Sequence, residues 1–164
     1  MAKIKFQQFL FGKNHSWSIV SQNLAYQLSK DNDVHLYSTD GYDKKFDIFK
    51  LKNSFEASSL KNDDKFDVQI SYTAPHNFPF FLQNGISNRL AIWCYEFPII
   101  PSNMIKYFDI PDYILPPSKF AKDSFVACKV PESKCKIIPH GINLDVFKNK
   151  EKFKLKKKKT MKFL

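Results

Sequence analysis

Short apolar runs alternate along this chain with stretches of helical spacing, and the change of period marks out its elements. Ile4, Phe6 and Phe9 make Lys3 to Leu10 a buried first strand, ending in the turn Phe11-Gly12-Lys13-Asn14. Trp17, Val20, Leu24 and Leu28 then fall three to four apart, the stripe of a helix from Ser16 that Asn14 or Ser16 is placed to cap. Lys30 to Asp33 breaks the helix, and Val34 to Ser38 alternates as a second strand, completing a β-α-β unit. Between Thr39 and Lys65 the pattern is weak and polar, with one candidate strand at Phe46 to Leu51. The signal returns with a strand at Asp67 to Tyr72, a proline-bounded loop holding His76, and an almost wholly apolar strand at Arg89 to Tyr95. A short helix near Ser102 to Phe108, a strand at Tyr113 to Leu115, a helix from Ser118 to about Cys128 and a last strand at Lys136 to Ile138 follow.

Strands alternating with helices predict an α/β, Rossmann-like domain, a mostly parallel sheet with helices on both faces. Ligands of such sheets gather beyond the carboxyl ends of the strands. That rule selects Gly12, the loop around His76, Glu96, Ser118 and His140 as one rim. It also sets aside Asp31-Asn32-Asp33, which has the look of a metal-holding D-x-D but lies on the opposite edge, where a plain turn explains it.

The formal charge of +10 suggests a nucleic-acid footprint until its distribution is read. Nine lysines against one glutamate between Lys148 and Lys162 give a net +8 there and leave only +2 for the rest. A lysine run without arginine is a solvated linker or a contact for an anionic membrane surface. No helix carries an array of Arg, Asn and Gln suited to base edges, so nucleic acid is not an expected partner. No apolar run reaches transmembrane length, and the first residues do not read as a signal peptide, so the expected location is cytoplasmic, with a peripheral position at the inner membrane surface an option. Cys94, Cys128 and Cys135 are odd in number and lack C-x-x-C spacing, which fits reduced, structural thiols. Nucleophile-elbow, phosphate-loop and dinucleotide fingerprints are all missing, which argues against hydrolase, ATPase and dehydrogenase chemistry.

Several segments together resemble the family 4 glycosyltransferases, retaining enzymes of two-domain GT-B architecture. They are Trp93-Cys-Tyr-Glu96-Phe-Pro98, Ile100-Pro101, Asp112-Tyr-Ile-Leu-Pro-Pro-Ser118-Lys-Phe120, and Ile138-Pro-His-Gly-Ile-Asn143 with Phe147 beyond it. The resemblance implies an amino-terminal, acceptor-side domain over residues 1–147, a lysine-rich linker over 148–159, and at 160–164 the first strand of a carboxyl-terminal domain that is itself missing. It further implies sugar transfer from a nucleotide-sugar, held through that second domain, to a hydroxyl-bearing glycan or lipid in polysaccharide or glycolipid biosynthesis. No metal or other cofactor is expected, and the chain alone is expected to be inactive; the alternative is a non-catalytic Rossmann-like module whose basic tail meets an acidic partner or a membrane surface.

Single residues keep two readings at this level. Gly12 either lets backbone N–H groups approach donor phosphates or simply turns the chain. Glu96, just past an apolar strand, is either an acceptor-orienting or proton-accepting carboxylate or half of a structural salt bridge. Where many relatives have a histidine, this chain offers Cys94, Tyr95 and Glu96. His140, followed by Gly141, contacts ligand or shapes the cleft wall as a hinge; Ser118 caps a helix or meets a phosphate or sugar; His76 and Asn77 are site members or incidental loop residues. His15 is a weaker candidate for the donor side, and Trp17 is assigned to the core.

Overall fold

A computed structural model describes residues 1–8, 15–39, 54–56, 65–86 and 88–141, with the backbone alone for 54–56. Its element order is β1 (Lys3–Gln8), α1 (Ser16–Leu28), β2 (Asp33–Ser38), β3 (Ser54–Glu56), β4 (Val68–Tyr72), α2 (Phe78–Phe81), β5 (Arg89–Ile92), α3 (Ser102–Ile105), β6 (Tyr113–Ile114) and α4 (Lys119–Ala127). The strands form one six-stranded sheet in the order β3-β2-β1-β4-β5-β6, and every pairing is parallel. The fold is therefore α/β and Rossmann-like, with the strand order reversing between β1 and β4.

Alternation along the strands divides the core between the two faces. Ile4, Phe6, Val34, Leu36, Ile70, Tyr72, Ile92 and Leu115 form one buried cluster with Ala25 of α1. Trp17, Val20, Leu24 and Leu28 pack against it only half-buried, because the buried side of α1 is the small and polar set Ser18, Ser21, Gln22 and Ala25. The other face is aromatic. Trp93 stacks on Phe125 of α4 with centroids 5.9 Å apart and planes 6° from parallel, while Phe78, Ile100, Phe108 and Ile114 fill the same cluster.

On that second face β1 and β4 carry polar residues that are nevertheless buried: Lys5, Gln7, Gln69 and Ser71. Two of them satisfy the backbone of the segment around α2, a helix too short to pair its own end groups. Lys5 Nζ donates to the Phe81 carbonyl at 3.0 Å, and the Gln69 amide accepts from Gln83 N at 2.8 Å and donates to Gln83 O at 3.4 Å. Burial pulls the Lys5 amine down from 10.5 to about 8.

Several boundaries differ from the sequence expectation. His15 caps α1, its Nδ1 accepting from Trp17 N at 3.3 Å, and Ser16 begins the helix instead of capping it. The segment expected as a last strand makes one bridge, Cys135 with Ile114, and continues alongside β6 through Lys136 N to Ile114 O and Ile138 N to Pro116 O without becoming a regular strand. Pro116 itself has no N–H to offer the ladder, which limits regular pairing there. The Asp31-Asn32-Asp33 turn is structural: Asn32 accepts from Ala2 N at 3.3 Å and donates to Leu28 O at 3.2 Å. Phe9, Gly12, Asn14, the Phe46 to Leu51 candidate and the linker and second-domain assignments at 148–164 lie outside the described residues.

Candidate functional site

The carboxyl ends of β4 and β5 bring together three side chains distant in sequence. Tyr72 is the last residue of β4, Cys94 follows β5 by two residues, and His140 comes in from the segment running beside β6. Register explains the first pair, since Tyr72 lies opposite Ile92 and Cys94 points to the same face as Ile92. Tyr72 Oη is 3.2 Å from Cys94 Sγ, which is 3.5 Å from His140 Nε2. The His140 ring lies 6.2 Å from that of Tyr72, and Trp17 meets Tyr72 edge-on at 6.0 Å, with His15 a further 6.4 Å beyond. The amino end of α1 thus forms one wall of this part of the rim, so Trp17 does more than fill core.

The electrostatics keep all three groups neutral near pH 7. Burial raises the Tyr72 phenol far above its ordinary range, with its bond to Cys94 adding to the effect. Burial also raises the Cys94 thiol, the Tyr72 bond opposes that, and the charge of Glu96 reinforces it. Desolvation lowers the His140 imidazole. A protonated thiol beside a neutral imidazole is not an activated nucleophile, so the pair is suited to hydrogen bonding and not to covalent catalysis.

The expected site residues divide. Glu96 shares the rim with His140, close enough for its charge to act on Cys94. It is exposed, however, and has no hydrogen bond or ion pair among the described residues, so neither a buried carboxylate nor a structural salt bridge is present. His76 is exposed on the turn Pro75–Asn77, where Asn77 binds Thr73 Oγ1 at 2.9 Å, and the ring makes no contact with His140 or Cys94. Ser118 caps α4, its Oγ accepting from Ala121 N at 3.2 Å. Gly141 is exposed, and a Cβ built on it meets nothing within 4 Å, so space does not require a glycine there.

Sequence reasoning passed over Tyr72 and Cys94, having treated Cys94 as structural. The signal was available in the two-residue alternation of Ile92 and Cys94, but parallel register could not be read without knowing that β4 and β5 are neighbours. Gln8 was also missed. It ends β1 opposite Tyr72, is fully buried, and neither of its amide atoms has a hydrogen-bond partner among the described residues. Gln7 Oε1 and Ser71 Oγ, a register pair on the other face, are likewise unpartnered. Unsatisfied polar atoms therefore concentrate where the strand order reverses, the place such sheets receive ligands. An open groove lined by Gly85, Ile86, Asn88 and Asp112 lies at the opposite edge, by the amino ends of β5 and β6, where Asp112 holds Arg89 through contacts at 2.9 and 3.3 Å.

No family model matches the sequence, and no curated protein matches it. Among solved structures the chain is similar to Anabaena Alr3699/HepE, determined in complex with UDP and glucose, at 12% identity and a TM-score of 0.58. The likeness covers 90% of this chain and 46% of that protein, so this chain spans about half of its length, and it shows that the two share a fold.

Proposed function

We propose that this chain is the acceptor-side half of a glycosyltransferase of GT-B architecture, moving a sugar from a nucleotide-sugar to a hydroxyl acceptor. The observation that carries the reading is the fold shared along nearly the whole chain with half of a protein that binds UDP and glucose, the two parts of a nucleotide-sugar. The reading is supported by the rim, which gathers His140, Cys94, Tyr72 and Glu96 at one side of the sheet together with the unpartnered Gln8. In this reading the donor is held by a second domain beyond Leu164, and reaction takes place in the cleft between the two. Glu96 orients or deprotonates the acceptor hydroxyl, while His76, His140 and Gly141 line the cleft. Transfer proceeds with retention and without a metal, as the family 4 resemblance implies, charge on the departing phosphate being met by fixed dipoles and basic groups.

Peripheral contact with an anionic membrane belongs to the same proposal. Phe97 and Ile99, 64% and 73% exposed, stand on the loop after β5, and the lysines of 148–162 supply charge. Among the described residues no helix is long and apolar enough to cross a membrane.

The test is the coding sequence read past Leu164 and expressed with whatever follows. A second α/β domain and release of nucleotide from a panel of nucleotide-sugars are expected, with E96Q and H140A each lowering turnover on the order of a hundredfold. A stop codon after Leu164, or turnover indifferent to both substitutions, overturns the assignment.

A further inference from the structure

The Tyr72, Cys94 and His140 contacts define a direction as well as a distance. Tyr72 is buried, and its hydroxyl has Cys94 Sγ as its hydrogen-bond partner among the described residues. A buried phenolic O–H left without an acceptor is costly, so this proton points at sulfur. The thiol proton then has His140 Nε2, a far better acceptor than sulfur, as its recipient. The reverse arrangement, Nε2–H to sulfur and S–H to the phenol, would strand the Tyr72 proton with no described acceptor. Sulfur accepting from both Tyr72 O–H and Nε2–H would leave the thiol proton without a described acceptor, so one orientation uses both the phenol and the thiol proton.

We propose that Tyr72 and Cys94 are positioning residues that fix the tautomer of His140: Tyr72 O–H donates to Cys94, Cys94 S–H donates to Nε2, and the ring proton resides on Nδ1. No protein group among those described takes the Nδ1–H, and the ring is half-buried at the rim. His140 thereby presents an uncharged donor suited to a hydroxyl, carbonyl or phosphate oxygen of a bound ligand. What meets Nδ1 rests on the transferase reading; the tautomer does not.

Long-range proton–nitrogen correlation spectra of the histidine-labelled 164-residue chain, without ligand, read the tautomer directly, with H140N assigning the resonance. Wild type is expected to show Nδ1 protonated and Nε2 bare. C94S, whose hydroxyl still donates, should keep that pattern, and C94A should shift the population toward Nε2–H roughly fivefold, as the loss of one net hydrogen bond predicts. Nε2–H in the wild type, or a C94A spectrum unchanged from it, overturns the proposal. Should C94A lose its fold, seen as collapsed amide dispersion, wild type and C94S decide. Because the spectra need no turnover, a correct tautomer with an inactive enzyme refutes only the transferase, and the converse refutes only the relay.

Discussion

Two residues sit in conformations or surroundings that their types do not favour, and both give measurable effects. Lys129, two residues past the end of α4, stands at φ 68°, the left-handed position that glycine ordinarily fills, while Val130 N bonds Phe125 O and Lys129 N bonds Val126 O. A side chain there costs on the order of 1 kcal/mol, so K129G should stabilise the fold by about that amount in urea denaturation, less the glycine's added unfolded-state entropy. Lys5 is the second case. Its folded value near 8 lies below the ordinary 10.5, so between those values the unfolded chain holds a proton that the native one has released. Stability should therefore climb as pH rises from about 8 to 10.5, by at most about 3 kcal/mol, and be flat in this respect below 8. A K5M variant that keeps the same slope would show that another group is responsible. Neither feature was legible in the sequence. A lysine at alternate positions of a strand reads as solvent-facing, and only the carbonyl of Phe81, 76 residues away, explains its burial.

The elements were largely readable because their signals are local. The stripe of α1, the cap at Ser118 and the runs around Ile70 and Ile92 come from neighbours in sequence, and they place strands and helices within a few residues of where they stand. Ends were harder, since they depend on which side chain reaches a free N–H. His15 accepts the bond at the start of α1, a task that Asn or Ser more often performs. The Ser118 cap leads to a prediction at this scale: S118A should cost about 1 kcal/mol of stability by thermal denaturation, leaving His140 resonances in place. Loss of ligand binding without loss of stability would instead assign Ser118 to the cleft. G141A should be close to neutral in the same measurement, given the open space around it.

At the scale of the whole molecule the site was only half visible, because it is made by register. The rule for parallel sheets pointed to the rim where His140 and Glu96 stand near one another, but not to the Tyr72 and Cys94 between them, whose meeting requires β4 and β5 side by side. The aromatic face has a larger energetic role: W93A, removing a ring stacked on Phe125, should cost about 3–5 kcal/mol, checked by denaturant titration. One topological fact also bears on how the protein is made. Strand β1 is made before either of its partners yet occupies an interior position, flanked by strands that begin at residues 33 and 68. Until the second of these emerges, β1 keeps a naked hydrogen-bonding edge lined by Ile4 and Phe6, a surface open to mispairing with other nascent chains. Synthesis halted before residue 72 should therefore yield a sticky, chaperone-dependent intermediate, and release past that point should let β2 and β4 close on either side of β1.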